Sequence, residues 1–288
     1  MLVETRARRP AAIAEAAAAR RRPPAPLDDD GRAMIIAADH TARGILGAGR
    51  RTGAMADRGE LLDRIQLALS RPGVTGVMAS PDILEDLLLL GGLDGKAVFG
   101  SMNRGGLQGA AWEIDDRFTA YDAAAIAEGG FEGGKMLVRI DPEDAATPAT
   151  LEACARAVSD LAARGLVAMV EPFMAGSIDG RVRPILLPDA AIRASVVAAA
   201  LGTTSAYTWL KVPVVEDMER VIGATTLPTL LLGGEVARDQ AATFERWGAA
   251  LRVPGAIGLV VGRSLLFPPD DDVAAAVDAA VRLIPRDR

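Results

Sequence analysis

Short apolar runs alternate with longer helical stretches along most of this chain. Eight runs rich in branched and aliphatic residues lie at 34–39, 74–80, 97–102, 135–141, 167–172, 207–213, 228–234 and 256–262. Stretches of helical period lie at 59–70, 81–90, 121–129, 148–164, 188–201, 215–223, 238–251 and 272–284. The alternation predicts parallel βαβ units in an α/β chain, and strands that are apolar throughout are typical of sheets buried on both faces. Eight units in about 250 residues favour a (β/α)8 barrel, or TIM barrel.

A doubly wound open sheet is the alternative arrangement of such units. It would usually carry a glycine-rich turn directly after the first strand. The segment GAGRRTG at residues 47–53 comes close to a dinucleotide-binding fingerprint. Its last glycine, however, lies one position too far along, and no clear helix begins there. We interpret it as a flexible loop and retain the barrel.

The first 30 residues precede the alternating pattern. Residues 8–21 are rich in arginine and alanine and predict a surface helix that ends before Pro23 and Pro24. No linker divides the remainder of the chain. We therefore expect a single barrel domain over residues 1–288, with residues 1–30 as an N-terminal helical extension.

Composition excludes several classes of function. The formal net charge of −6 and a pI near 5.0 argue against nucleic-acid binding. One cysteine, Cys154, leaves no intramolecular disulfide and fits a reducing cytoplasm. No apolar run approaches the ~18–20 residues of a membrane span. With one histidine and one cysteine, a zinc site is not expected, and we predict neither a metal nor a cofactor.

Lysine is scarce in this chain, which makes its positions informative. Of the 32 lysine and arginine residues, only Lys96, Lys135 and Lys211 are lysines. Lys211 lies inside the apolar run AYTWLKVPVV, where an unpaired buried ammonium would cost several kcal/mol. Arginine stays protonated, whereas lysine can lose its proton and act as a nucleophile. A lysine retained here therefore indicates either a buried charge with an ion-pair partner or an amine that takes part in a reaction.

Charged residues on three neighbouring strands are expected to meet in the barrel. Lys135, Glu171 and Lys211 belong to the fourth, fifth and sixth runs, at spacings of 36 and 40 residues, about one βα unit each. A carboxylate between two ammonium groups could be a mutually neutralising network. It could also favour a neutral Lys211 amine that attacks a carbonyl, with Glu171 shuttling protons. Arg139 shares a strand face with Lys135.

The ends of the seventh and eighth runs suggest a phosphate site. Loops at these positions of a (β/α)8 barrel frequently bind phosphate through backbone N–H groups. The seventh run ends in Gly233 and Gly234, and the eighth in Gly262 and Arg263. Glycines permit close backbone approach, and an arginine adds charge. Together they predict a phosphorylated substrate.

These motifs resemble those of the class I aldolases of the bacterial and archaeal fructose-bisphosphate, tagatose-bisphosphate and sulfofructose-phosphate type, relatives of deoxyribose-phosphate aldolase. The resemblance covers roughly residues 34–267 and is carried by AADH, GGKMLVRID, MVEP, WLKVP, LLGGEV and VVGRSLLF. It implies Lys211 as the Schiff-base nucleophile, Glu171 as the proton shuttle, Lys135 as a second active-site lysine and Asp39 as a catalytic aspartate. Thr41 departs from the glycine usual after Asp-His.

The resemblance also bears on the substrate. Some relatives carry an aromatic residue where Arg139 stands, so we expect its guanidinium to recognise an acidic group or a second phosphate. The chain is most similar to a branch associated with inositol breakdown. That branch implies cleavage of 2-deoxy-5-keto-gluconate 6-phosphate into dihydroxyacetone phosphate and malonate semialdehyde. We expect a homo-oligomer and a small phosphorylated sugar or keto-acid as its only further partner.

Two other functions stay open at the level of sequence. One is a thiolase-like or transaldolase-like transferase on the same barrel, and the other is a sugar-phosphate sensor without turnover. The complete set of Asp39, Lys135, Glu171 and Lys211 argues against the sensor, since binding alone does not need a neutral lysine. His40, which follows Asp39, should point away from the site if the strand continues. Trp209 should fill the barrel interior.

Overall fold

Eight parallel strands close into a barrel in the computed structural model, which describes residues 1–178 and 180–286. The barrel strands are β1 Ala33–Ala38, β2 Gly76–Ala79, β3 Ala97–Ser101, β4 Gly133–Ile140, β5 Val167–Ile178, β7 Thr208–Pro213, β8 Thr229–Leu232 and β9 Ala256–Val261. A further strand, β6 Arg181–Pro184, pairs only with β5 and lies outside the ring. Pairing of β1 with β9 completes the ring, with Ile35 opposite Val260. The predicted (β/α)8 barrel is confirmed.

Helices connect the strands on the outside of the barrel. After the N-terminal helices α1 Leu2–Arg8 and α2 Ala12–Ala19, the structure contains α3 Arg58–Ser70, α4 Pro81–Leu89, α5 Ala123–Glu128, α6 Thr147–Ala162, α7 Pro188–Ala199, α8 Met218–Gly223, α9 Gln240–Leu251, α10 Arg263–Leu266 and α11 Val273–Leu283. A 3-10 turn covers Thr41–Arg43. Each of the eight helices predicted between strands has a counterpart. In the described part of the chain, no helix combines the length and apolar character needed to cross a membrane.

The barrel interior is a packed core. Its buried side chains include Ile35, Met78, Phe99, Met169, Trp209 and Leu230. The rings of Phe99 and Trp209 lie 6.0 Å apart, which places Trp209 inside the barrel as expected. A larger apolar layer lies between the strands and the helices. The end of the barrel where the strands terminate opens into a cavity.

Two local predictions were wrong. The fifth strand does not end at residue 172 but continues to Ile178 and forms an antiparallel hairpin with β6. The segment FMAGSI at residues 173–178 carries no helical pattern, so the chain stays extended until a turn that includes Gly180 at φ +70°. The N-terminal helix over 8–21 is instead two short helices, because Pro10 lacks an N–H donor and its ring clashes with the preceding turn.

The N-terminal extension docks at the end of the barrel where the strands begin. Arg20 is buried there and its NH2 group lies 3.0 Å from Oε1 of Glu132, the residue preceding β4. Its guanidinium also donates to the carbonyls of Lys96 and Gly130. Glu132 in turn accepts the backbone N–H of Val98 in β3 at 2.7 Å. This cluster ties the extension to two barrel strands.

Candidate active site

A cavity of about 400 Å³ opens at the carboxyl ends of the barrel strands. In a (β/α)8 barrel this is the end that carries the active site. All nine residues predicted for the site line it: Asp39, Lys135, Arg139, Glu171, Lys211, Gly233, Gly234, Gly262 and Arg263. Residues Pro184 and Leu186 from the β5–β6 hairpin region form part of its wall. Sequence reasoning missed that contribution because the hairpin itself was not predicted.

Glu171 bridges the two lysines in the cavity. Its Oε1 lies 2.8 Å from the Nζ of Lys211, and its Oε2 lies 2.5 Å from the Nζ of Lys135. The strands set this geometry, since β5 lies between β4 and β7 and Glu171 stands opposite Leu137, two residues beyond Lys135. All three side chains are nearly excluded from solvent. The predicted constellation is present as a contiguous buried cluster.

Burial and mutual charge shift the proton affinities within this cluster. Burial alone would raise the pKa of Glu171, but the charges of Lys135 and Lys211 outweigh it and lower that pKa to about 2. Burial lowers the pKa of Lys135 to about 8, although the carboxylates of Asp39 and Glu171 act in the opposite direction. An amine in this position can exchange a proton near neutral pH, which is what acid–base chemistry requires.

Asp39 joins the cluster on the side of Lys135. Its Oδ2 lies 3.2 Å from the Nζ of Lys135 and 2.8 Å from NH1 of Arg104, and it accepts the hydroxyl of Ser101 at 2.8 Å. Burial would raise the pKa of Asp39, but the charges of Arg104 and Lys135 hold it well below the usual value. Sequence reasoning missed Ser101 and Arg104. Their signal was the segment SMNR at the end of the third run, since polar residues there must meet the other strand ends.

His40 was expected to point away from the site, and this was wrong. Strand β1 ends at Ala38, and His40 precedes a 3-10 turn, so strand alternation no longer applies. The ring lines the cavity, and burial lowers the pKa of His40 to about 3, against the opposing effect of Asp39. Its buried Nδ1 has no hydrogen-bond partner among the described residues. His40 is therefore a neutral imidazole beside Asp39.

Arg139 lies on the same face of β4 as Lys135 and reaches the cavity wall. Its guanidinium donates to the carbonyl of Glu113 and lies 3.3 Å from Oε1 of the same residue. Burial lowers the pKa of Arg139 to about 10, with the charge of Arg43 acting in the same direction. Arg43 is itself buried and paired with Asp116 at 2.5 Å. A group of basic side chains thus occupies the β3–β4 side of the cavity.

The glycines after β8 and β9 lie where a side chain would clash or where the backbone has a positive φ. A Cβ at Gly233 would lie 2.4 Å from a methyl carbon of Val261, and one at Gly262 would lie 2.2 Å from the carbonyl oxygen of Ala37. Gly234 has φ +68° with open space around it. Arg263 begins α10 with its side chain mostly buried, and burial lowers its pKa. These loops line the cavity at its β8–β9 side.

The cavity is strongly cationic although the chain is acidic. Among the described residues, seven arginines and lysines line it, against the three carboxylates Asp39, Glu171 and Glu235. The seven cations are Arg43, Arg104, Lys135, Arg139, Lys211, Arg246 and Arg263. With His40 neutral, the lining carries a formal charge of +4, whereas the whole chain carries −6. Such a lining favours an anionic ligand.

Within residues 1–178 and 180–286, no three histidine, cysteine, aspartate or glutamate side chains gather in a way that could hold a metal ion. The donors that converge on the cavity are amines and guanidinium groups. The carboxylates of Asp39 and Glu171 are already paired with these cations at 2.5–3.2 Å.

The fold and the site together define a (β/α)8 barrel with a buried lysine–glutamate–lysine cluster at the catalytic end. The chain belongs to the Cgl0159-like family, whose model matches residues 31–281. The crystal structure of Cgl0159 from Corynebacterium glutamicum (Brevibacterium flavum) is 53% identical, with a TM-score of 0.96 over 98% of this chain and 95% of that chain. A search of the curated proteins found no match.

Aldolases that share the fold are more distant. A Schiff-base-forming fructose-1,6-bisphosphate aldolase is 18% identical, with a TM-score of 0.65 over 95% of this chain and 100% of that chain. An archaeal fructose 1,6-bisphosphate aldolase is likewise 18% identical, with a TM-score of 0.67 over 94% of this chain and 98% of that chain. At this identity the likeness establishes a common fold.

Proposed function

We propose that this protein is a class I aldolase that cleaves a phosphorylated ketose or keto-acid through a Schiff base on Lys211. The observation that carries the proposal is the placement of two of the three lysines of the chain on one shared carboxylate, Glu171, in the cavity. An arginine-rich protein could neutralise Glu171 with guanidinium groups. Lysine is required only where an amine must lose its proton and attack.

Lys211 is the better nucleophile of the two lysines. Lys135 pairs with the carboxylates of both Asp39 and Glu171, whereas Lys211 pairs with Glu171 alone among the described residues. Lys211 therefore has to leave only one ion pair to attack a carbonyl. Its proton can pass directly to Oε1 of Glu171 at 2.8 Å. The proton affinity of Glu171 rises at that moment, because one of its two cationic neighbours becomes neutral.

The reaction then follows from the arrangement of these groups. The neutral amine of Lys211 attacks the ketone carbon, and protonated Glu171 gives its proton to the departing hydroxyl, so that water leaves and an iminium forms. Asp39 takes the proton of the hydroxyl on the carbon whose bond breaks. The electron pair of that C–C bond moves into the iminium, leaving an enamine and releasing an aldehyde. Protonation of the enamine and hydrolysis by water free the ketone product and Lys211.

The charge of the cavity supports a doubly anionic substrate. The β8–β9 side offers Gly234 and Arg263 to a phosphate, and the β3–β4 side offers Arg139 to a second anion. A substrate with a phosphate at one end and a carboxylate at the other would engage both sides. 2-Deoxy-5-keto-gluconate 6-phosphate has this form and is the particular substrate we propose. An archaeal fructose-1,6-bisphosphate aldolase with its catalytic lysine bound to a carbinolamine intermediate shares the fold, at a TM-score of 0.65.

Reductive trapping tests the nucleophile. Native protein, Lys211→Arg and Lys135→Arg are incubated with dihydroxyacetone phosphate and borohydride, and the added mass is mapped on peptides. We expect a stable adduct at Lys211 in the native protein and in Lys135→Arg, and none in Lys211→Arg. An adduct at Lys135, or one that persists in Lys211→Arg, would remove Lys211 from the mechanism.

A second comparison tests the phosphate. Arg263→Ala should weaken kcat/KM for 2-deoxy-5-keto-gluconate 6-phosphate by ~10–150-fold, because a charge-assisted hydrogen bond contributes ~1.5–3 kcal/mol. The unphosphorylated keto-acid should be little affected. Arg238→Ala is the matched control, since Arg238 is exposed, lies close in the chain and does not line the cavity. Equal losses for both substrates in Arg263→Ala would separate this arginine from phosphate binding.

A further inference from the structure

Every hydrogen bond and ion pair that the described residues make with the Asp39 carboxylate goes to one oxygen, Oδ2. Ser101, Arg104 and Lys135 all approach Oδ2, at 2.8, 2.8 and 3.2 Å. None of the described residues donates a hydrogen bond to Oδ1. Asp39 also lines the cavity. Its two oxygens therefore differ, because Oδ2 contacts three side chains and Oδ1 accepts no hydrogen bond from the described residues. One is held by the protein, and the other is available to a bound molecule.

Arg104 is held in place by hydrogen bonds of its own. Its Nε donates to the carbonyl of Asn103 at 2.7 Å, and its NH1 donates to the backbone carbonyl of Asp39 at 3.0 Å. Asn103 is fixed to β4 by two hydrogen bonds with the backbone of Leu137, at 2.6 and 2.8 Å. Arg104 is only 5% exposed. It thus connects the end of β1 to β4 and contacts both the backbone and the side chain of Asp39.

We infer that Arg104 is a positioning residue that holds Asp39 by Oδ2 and leaves Oδ1 as the oxygen that takes the proton of the substrate hydroxyl. The inference rests on the proposed aldol cleavage. In that step the O–H bond breaks and its proton goes to Oδ1, a carbonyl forms on the departing fragment, and the C–C bonding pair enters the iminium on Lys211. Ser101 assists by occupying the same oxygen of Asp39.

The charged and titratable groups around Asp39 come from the ends of five other strands and from the next residue in the chain. They are Arg104 after β3, Lys135 on β4, Glu171 on β5, Lys211 on β7, Arg263 after β9 and His40 next in the chain. Among these groups Arg104 exerts the largest electrostatic effect on the Asp39 carboxyl and acts to lower its pKa. Without Arg104, Asp39 should be protonated at a higher pH. A carboxyl that is protonated cannot accept the hydroxyl proton.

The test compares Arg104→Met, Arg104→Lys, Ser101→Ala and Arg117→Met. The last is the control, because Arg117 is exposed and pairs with Asp115, away from Asp39. With 2-deoxy-5-keto-gluconate 6-phosphate, we expect kcat in Arg104→Met to fall about 100-fold, as for a misplaced catalytic group, with a smaller change in KM. The acid limb of the pH profile should move to higher pH, because the main charge that lowers the pKa of Asp39 is gone. Arg104→Lys keeps the charge and should return the acid limb most of the way to its native pH. Ser101→Ala should move the limb less than Arg104→Met does.

A substrate-independent measurement accompanies the kinetics. Carboxyl-labelled aspartate is followed by ¹³C NMR, with the Asp39 signal assigned by its absence in Asp39→Asn. We expect the signal to protonate at a higher pH in Arg104→Met than in the native chain. If the signal protonates at no higher pH than in the native chain, the inference is overturned. Failure of imine trapping at Lys211 would instead overturn the proposed function, and the NMR result would still report on Arg104.

Discussion

The two ends of the barrel each bury an ion-pair cluster, and the two clusters differ in their cations. At the end where the strands begin, the closed end, Glu132 is held by Arg20, and the exposed Arg22 also contacts it at 3.0 Å. At the end where the strands terminate, the open end, Glu171 is held by Lys135 and Lys211. Both carboxylates are buried to a similar extent, at 7% and 8% exposure. The choice of cation therefore does not follow from burial.

The hydrogen-bonding capacity of the cation explains the difference. Arg20 uses its guanidinium to satisfy Glu132 and two backbone carbonyls at once, which suits a permanent connection. A lysine ammonium has no such planar fork, but it can give up its proton. The ion pairs at the closed end thus stabilise the fold, whereas the lysine ammonium groups at the open end are able to give up a proton.

The largest expected effect is on activity at the open end. Lys211→Arg retains the positive charge beside Glu171 but cannot form an imine, so we expect kcat/KM to fall by at least about 10⁴-fold. The free energy of unfolding should change by no more than ~1–3 kcal/mol, the usual cost of overpacking. Steady-state kinetics and urea unfolding of the same preparation measure both. Substantial turnover by the folded variant would contradict the assignment.

The reverse pattern is expected at the closed end. Arg20→Met leaves Glu132 as a buried charge with only an exposed partner, and should reduce the free energy of unfolding by ~3–5 kcal/mol. The kcat of the folded fraction should be unchanged, because Arg20 lies at the other end of the barrel. The double variant Arg20→Met with Glu132→Leu should recover much of the stability. A large loss of kcat in Arg20→Met would show that the two ends are coupled.

Stability above neutral pH should also distinguish the clusters. Because the pKa of Lys135 in the folded protein is about 8 and that of an unfolded lysine is 10.5, the unfolded chain binds more protons between these values. Stability should therefore rise as the pH increases from about 8 towards 10.5, by about 2–3 kcal/mol at most. Lys135→Met should remove the rise, whereas Arg20→Met should keep it, since Lys135 is still present in that variant. Denaturant titrations at several pH values provide the measurement.

The smallest effect is expected for Arg22→Ala. Arg22 contacts the same carboxylate as Arg20, but its side chain is 55% exposed. Exposed ion pairs contribute ~0–1 kcal/mol, so its removal should cost far less than Arg20→Met. Thermal unfolding of the two variants side by side gives the comparison. Similar losses in both would mean that the backbone contacts of Arg20 contribute little.

Much of the barrel was predictable from the sequence because its signals are local. Eight apolar runs separated by helical patterns specify parallel βαβ units, and parallel units of this number close into a ring. The hairpin after β5 was not predictable in this way. Residues 173–178 look like the beginning of a loop. Their strand conformation depends on pairing of Phe173 and Met174 with β4 and of residues 175–178 with residues 181–184.

The same division applies to the site. Lys135, Glu171 and Lys211 were recognisable because a charge inside an apolar strand is rare and costly, so each position is conspicuous in the chain itself. Arg104 and His40 follow strand ends, and Ser101 is the last residue of β3. Polar residues are ordinary at such positions and are not conspicuous in the way that a charge inside an apolar strand is. Their roles depend on which strand ends lie side by side. The sequence alone determined the fold class and the residues able to do the chemistry, and only closure of the barrel decided which oxygen of Asp39 they leave free.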